Sequence, residues 1–143
     1  MKKNKIFVAC DTSNLNLVKK IIKHTKTKKL EITPKFGLQF FYSKQGRRFL
    51  EKFKKSFFLD LKINDITQTA LSAIDSLKDL KKCKYITVHA NGGLKMLKAV
   101  KLKANKTNKN LKVLGVTVLT SLNNKSLKEI GHTRSVEQLV LKQ

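Results

Sequence analysis

A parallel α/β fold is predicted by three features of this 143-residue sequence. Short apolar, β-branched runs recur along the chain, segments with apolar residues at helical spacing separate them, and the strand centres fall at a nearly constant interval. The runs are close to continuous rather than alternating, the pattern of strands buried on both faces. Strands that alternate with helices pair in parallel through right-handed crossovers. The centres Val8, Phe36, Leu59, Val88 and Val116 recur about every 27 residues, so eight repeats come to about 216, within the ~200–250 of a (β/α)8 barrel. A doubly wound open sheet satisfies the same alternation.

The first strand is Ile6-Phe7-Val8-Ala9, and Leu15, Val18, Ile21 and Ile22 form the stripe of the helix that follows. Phe36-Gly37-Leu38 is the second strand, entered through Pro34-Lys35, with the shorter stripe Phe49, Leu50 and Phe53 after it. Phe57-Phe58-Leu59 opens the third, followed by the clearest stripe, Ile66, Ala70, Ile74, Leu77 and Leu80. Tyr85-Ile86-Thr87-Val88 is the fourth, with Leu94, Leu97 and Val100 behind it. The apolar run from Val113 to Leu119 is the fifth. Val136, Leu139 and Val140 form the last stripe, introduced by Ser135 with Gln138 placed to complete a capping box. Residues 1–143 are read as a single domain. No stop signal follows the last apolar residue, so the chain is expected to be the first part of a longer barrel, about five of eight βα units.

Composition removes several classes. Hydrophobic residues at 41% and charged residues at 29% exclude collagen-like and disordered chains. No apolar run approaches the ~20 residues of a membrane span, and the five apolar residues before Asp11 are too few for a signal peptide. Two cysteines, Cys10 and Cys83, form neither a disulfide framework nor a metal spacing, so a cytoplasmic chain with reduced thiols is expected. The charge of +23 invites a nucleic-acid reading. Against it, only Arg47, Arg48 and Arg134 are arginines, and the lysines are spread from Lys2 to Lys142 rather than gathered into one tract. No nucleic-acid partner is expected.

In either α/β architecture, sites form at the carboxyl ends of the strands. Those ends read Ala9-Cys10-Asp11, Leu59-Asp60-Leu61-Lys62-Ile63-Asn64-Asp65, Val88-His89-Ala90-Asn91-Gly92-Gly93 and Leu119-Thr120-Ser121. Asp60-x-Lys62-x-x-Asp65 is the sharpest pattern. Residues two apart on a strand face the same way, so Asp60 and Lys62 are predicted to point together. Asp65 lies beyond the strand, able to reach back or across to a neighbouring chain, and Lys35 on the adjacent strand completes an alternating array in which opposite neighbours keep each group ionised. A structural ion pair at a barrel rim fits the same spacing. His89-Ala90-Asn91-Gly92-Gly93 reads first as turn geometry and second as a phosphate cradle. His89 has no second ligand nearby, so no metal site is expected. Cys10 beside Asp11 is a poor nucleophile. No dinucleotide, P-loop or hydrolase motif is present.

Taken together, Phe58-Leu59-Asp60-Leu61-Lys62-Ile63-Asn64-Asp65-Ile66 and the other strand ends, in this order, resemble the orotidine 5′-phosphate decarboxylase family. The resemblance covers essentially the whole chain and implies a (β/α)8 barrel of which about the first five units are present. It implies decarboxylation of orotidine 5′-monophosphate to uridine 5′-monophosphate without a cofactor, in pyrimidine synthesis. Carried over by position, Lys62 protonates C6, Asp60 sits beside the departing carboxylate with Leu61 in the same stretch, and Lys35 holds the ribose and the charged array. Asp65, Ile66 and Thr69 come across a homodimer interface, Asp11 binds a ribose hydroxyl, and Thr120 and Ser121 face the pyrimidine. Two other classes compete. Sugar-phosphate decarboxylases and aldolases of the same superfamily carry the same motif and usually need magnesium, and a basic nucleic-acid-binding protein would show steeply salt-dependent binding.

Overall fold

The computed structural model describes residues 4–25 and 27–143. The first strand and helix are β1 (Lys5–Ala9) and α1 (Leu15–His24). β2 (Glu31–Gly37) is followed by two short helices, α2 (Leu38–Phe41) and α3 (Gly46–Lys52). Next come β3 (Phe57–Ile63), α4 (Thr67–Asp75), β4 (Cys83–His89) and the long α5 (Gly93–Thr107), which is entered through a single 3-10 turn. β5 (Lys112–Val116), α6 (Asn124–Glu129) and α7 (Val136–Lys142) close the described chain.

All five strands are parallel and lie in the order β1-β2-β3-β4-β5. A doubly wound sheet reverses its strand order at a switch point. Here each new strand adds beside the last, which is how a barrel wall grows, and of the two architectures left open by the alternation it selects the barrel type.

Period-two alternation divides the sheet into two faces. Phe36, Phe57, Leu59, Ile86 and Val88 are buried in the main apolar core with Val18 of α1, Ala70 and Ile74 of α4, and Met96, Val100 and Ala104 of α5. Phe36 is the hub of an aromatic cluster: it stacks on Phe40 (ring centroids 4.8 Å apart) and meets Phe57 (5.9 Å) and Phe53 (6.0 Å) edge-on. The opposite face carries Phe7, Phe58 and Tyr85, packed edge to face at 5.1–5.9 Å. Further along the same face come Asp60 and Thr87, joined by a hydrogen bond.

Several elements depart from the sequence reading. β4 is buried almost throughout, as predicted, but β1 is mostly exposed and β5 only partly covered: each has one strand neighbour, and Ile6 is 42% and Phe7 39% exposed. β5 ends at Val116, where pairing with His89 stops, so Thr117–Leu119 lie outside the sheet. The helix after β3 begins at Thr67, leaving Ile66 73% exposed, and ends at Asp75, after which i→i+3 turns carry Leu77 and Leu80 into the core. In α5 the buried stripe is Met96, Val100 and Ala104, while Leu94 points outward. The predicted capping box is formed: Ser135 accepts from the Gln138 N–H (3.2 Å) and Gln138 from the Ser135 N–H (3.1 Å).

Candidate active site at the carboxyl ends of the strands

Asp60 is the centre of a compact ionic cluster. Its Oδ2 accepts from Lys35 Nζ at 2.7 Å and its Oδ1 from Lys62 Nζ at 2.9 Å. The Thr87 hydroxyl also donates to Oδ1, at 3.0 Å. The carboxylate is only 12% exposed, against 29% for the Lys35 and 39% for the Lys62 side chain. Burial pushes the Asp60 carboxyl up, but the hydrogen bonds from Lys35, Lys62 and Thr87 outweigh it and hold it below the usual carboxylate range. Both ammonium groups lean on one anion, so the cluster carries a net positive charge within the chain, and Lys62 is the more open of the two cations.

The backbone brings Asp60 and Lys62 together in a way the strand period alone does not describe. β3 and β4 are in register at Leu59–Ile86 and again at Ile63–Val88, so β3 holds two more residues than β4 over this stretch. The excess is a bulge containing Asp60, Leu61 and Lys62. Lys62 has φ of 48°, the left-handed region that a side chain with a Cβ rarely adopts. The regular two-residue alternation behind the predicted pairing is therefore broken, and the bulge re-aims Lys62 onto Asp60. Such strain persists only where its surroundings hold it. Here the Lys62 N–H, displaced from the ladder, donates to the Thr87 hydroxyl at 2.8 Å.

Asp11 stands at the same end of the sheet. The Cys10 N–H donates to the Lys35 carbonyl (2.8 Å), which extends the β1–β2 pairing and sets Asp11 beside Gly37. Asp11 Oδ1 accepts from the Phe40 N–H at 3.0 Å, satisfying one of the unpaired donors that open α2. A Cβ on Gly37 would collide with that carboxylate, so the glycine makes room for it. Burial alone pushes the Cys10 thiol up to about 11, which makes burial rather than the charge of Asp11 the reason it is a poor nucleophile.

The remaining predicted residues lie apart from the cluster. Asp65 is exposed, accepts from the Ile66 N–H at 2.7 Å and makes no ion pair among the described residues. With Thr69 it lines a cleft of about 310 Å³ that runs past Leu61 and Lys62 to Phe41, Tyr42 and Leu77. Thr120 and Ser121 occupy an exposed turn closed by the Leu122 N–H on the Leu119 carbonyl, and neither side chain makes a hydrogen bond among the described residues. His89 is 8% exposed; burial, then the charge of Lys62, holds its imidazole below the usual range. Among the described residues no group of three His, Cys, Asp or Glu side chains is placed to hold a metal.

A profile of the family described as "Orotidine 5'-phosphate decarboxylase / HUMPS family" matches residues 4–143. The chain belongs to this family. It is 37% identical over 142 residues to the orotidine 5'-phosphate decarboxylase of Wolbachia sp. subsp. Brugia malayi (strain TRS), covering 96% of this chain and 60% of the relative. Its fold is similar to a crystal structure of orotidine 5'-phosphate decarboxylase from Lactobacillus acidophilus, with TM-score 0.85 and 28% identity over 99% of this chain and 65% of that one. A crystal structure of orotidine 5'-monophosphate decarboxylase from Methanocaldococcus jannaschii, complexed with the inhibitor BMP, matches 81% of this chain and 53% of its own, with TM-score 0.65 and 27% identity. The chain thus spans about three-fifths of the length of these relatives.

Two residues that shape the site in this orotidine 5'-phosphate decarboxylase / HUMPS chain carry no chemical pattern in the sequence. Thr87 lay inside an apolar strand, and its parity with Tyr85 was the only available signal. Gly37 reads in the sequence as an ordinary strand residue, and its close approach to Asp11 is set only by the fold.

The depressed Asp60 carboxyl has a consequence for stability. A group whose folded pKa lies below its unfolded value of about 3.9 contributes stability that is complete above that value and lost as pH falls through the folded one. Asp60→Asn is expected to lower stability near pH 7 by about 1–2 kcal/mol and to flatten its dependence on pH below about 4. Denaturant melts between pH 2 and 7 measure both effects. Equal acid slopes in the parent and the variant would remove Asp60 as the source.

Proposed function

We propose that this chain carries the reacting centre of an orotidine 5'-phosphate decarboxylase, which converts orotidine 5'-monophosphate to uridine 5'-monophosphate and carbon dioxide in pyrimidine synthesis. The observation that carries this reading is the Lys62 ammonium held at a strand end by Asp60, whose other oxygen is clamped by Lys35. Family membership and relatives named for this activity support it.

In the reaction the bond from C6 to the carboxylate breaks and its electron pair stays on C6. The Lys62 ammonium lies against the developing negative charge, then delivers its proton to form C6–H, and recovers a proton from solvent. Asp60 keeps Lys62 charged and aimed, and stands where it faces the departing carboxylate. Lys35 neutralises Asp60 from the other side and reaches the ribose, Asp11 takes a ribose hydroxyl, and Thr120 and Ser121 face the pyrimidine. No metal or cofactor takes part. Asp65, with Ile66 and Thr69, serves the neighbouring site across a homodimer, which supplies the anion that would bring two lysines and one aspartate to balance. This reading places the protein in the cytoplasm and gives it no nucleic-acid partner. Arg47, one of only three arginines, is already committed to Asp79 (2.8 Å) and the Ser76 carbonyl (2.8 Å). No helix among the described residues is long and apolar enough to cross a membrane.

The family description also covers the sugar-phosphate class. A magnesium site wants free carboxylate oxygens, and here both oxygens of Asp60 are taken by ammonium groups, which disfavours that alternative. The test is to join residues 1–143 to the part of the Wolbachia relative that this chain does not span, giving a completed barrel. Loss of orotidine-phosphate absorbance in the presence of EDTA supports the decarboxylase. Magnesium-dependent cleavage of a hexulose phosphate with no orotidine turnover would replace it. Residues 1–143 expressed alone should show no measurable decarboxylation and should self-associate. In barrels of this kind, phosphate is commonly gripped after the seventh and eighth strands, and β1 and β5 each offer an open edge here. A monodisperse, active product on size exclusion and in the absorbance assay would overturn that expectation.

A further inference from the structure

The bulge that carries Asp60 and Lys62 rests on one side chain from the next strand. We propose that Thr87 is a positioning residue for the reaction: its single hydroxyl fixes the Asp60 carboxylate and the Lys62 backbone relative to each other. The proposal deepens the decarboxylase reading and rests on it.

Thr87 is 6% exposed, so no water competes freely for its hydroxyl. That hydroxyl accepts from the Lys62 N–H (2.8 Å) and donates to Asp60 Oδ1 (3.0 Å). The two bonds use its proton and one lone pair, and their directions are opposite, so neither can be exchanged for the other. The same Oδ1 also accepts from Lys62 Nζ. A closed ring therefore runs from the Lys62 backbone through Thr87 and Asp60 to the Lys62 ammonium. Its most strained element is the Lys62 backbone at φ 48°, which without an external partner would relax toward the β region. Regular β3–β4 pairing cannot supply that partner, because the ladder is interrupted between Leu59 and Ile63. A valine at this position would keep the shape of the strand while leaving without its partner a part-buried N–H and one lobe of a largely buried carboxylate. Lys62 would still have Asp60 as a neighbour, but its ammonium would no longer be confined to one place, and a displacement of about 1 Å is enough to cost a proton-transfer step on the order of a hundredfold.

The experiment compares Thr87→Val, Thr87→Ser and Thr87→Cys with the parent by two readouts. In the completed barrel, carbon-detected NMR follows the titration of Asp60 and amide exchange follows the Lys62 N–H. In the completed barrel, steady-state kinetics separate kcat from KM. Thr87→Val should raise the Asp60 midpoint, because one of its three donors is lost, and should speed exchange at Lys62. It should lower kcat on the order of tenfold to a hundredfold, with KM within about threefold of the parent. Thr87→Ser, which restores the hydroxyl, should behave as the parent in every readout, while Thr87→Cys, a weak donor of similar size, should fall with valine. A folded Thr87→Val with the parent's Asp60 titration, or with the parent's kcat, overturns the proposal, as does Thr87→Ser matching valine. If Thr87→Val does not fold, the serine–cysteine pair decides, and equal behaviour of the two overturns the proposal. The NMR arm needs no turnover, so a completed barrel with no activity toward orotidine 5'-monophosphate would count against the decarboxylase reading while Asp60 still decides for or against Thr87.

Discussion

Lys62→Ala in the completed barrel is expected to lower kcat by roughly 10³-fold or more while a nucleotide product still binds. The change removes the proton donor, a contribution of about 10²–10⁴ in rate. It also removes the positive charge aimed at the carbon where negative charge develops, so the two losses compound. Binding survives because product affinity draws on the ribose, base and phosphate contacts rather than on this ammonium. The fold survives too: alanine keeps the Lys62 N–H that Thr87 accepts, and Lys35 remains to neutralise Asp60. The measurement pairs initial rates with product titration by calorimetry. Turnover within tenfold of the parent would sink the assignment of Lys62, and a variant that neither binds nor turns over would point to a structural role for the cluster.

A mixture of two inactive proteins should recover activity. Lys62 belongs to the Asp60 cluster, whereas Asp65 lies exposed in the adjoining cleft, bonded only to its own following N–H. If Asp65 serves the site of a second copy, then in a mixed dimer Lys62→Ala on one chain and Asp65→Ala on the other fall in the same site and leave the second site intact. Co-refolded in equal amounts, half the dimers are mixed and each mixed dimer has one intact site, so about a quarter of the parent activity should return. The exposed side chains of Tyr42 and Ile66, 76% and 73% accessible, border the same region and offer the apolar contact such an interface requires. Activity is followed as a function of mixing ratio, with mixed dimers verified by tagged pull-down. No recovery in verified mixed dimers would return Asp65 to its own chain's site.

Much of this architecture was legible in the sequence because it rests on short-range patterns. Parallel strands with crossover helices follow from apolar runs such as Tyr85–Val88 alternating with helical stripes. The capping box at Ser135 and Gln138 follows from spacing alone, since capping is a contact between residues three apart. Asp60, Lys62 and Lys35 stood out because charge inside an apolar run is costly unless it is paired. Other features depend on partners distant in the chain. The exposure of Leu94 and Ile66 and the end of β5 at Val116 depend on which surfaces the neighbouring elements cover. A stripe reports only that a face is apolar, not where the covering stops.

The sequence by itself determined the class of fold, the end of the sheet where chemistry gathers, and the charged residues that gather there. The tertiary structure decided between a barrel wall and a doubly wound sheet, because strand order is a long-range property that no local pattern encodes. It also decided how the charges meet. Two residues apart on a regular strand, Asp60 and Lys62 would share a face, but the ion pair at 2.9 Å forms across a bulge with Lys62 in the left-handed region. That conformation is unfavourable for any isolated segment with a side chain. It exists here because Thr87, on the neighbouring strand, accepts the N–H that the bulge displaces, and only the folded sheet sets those two residues side by side.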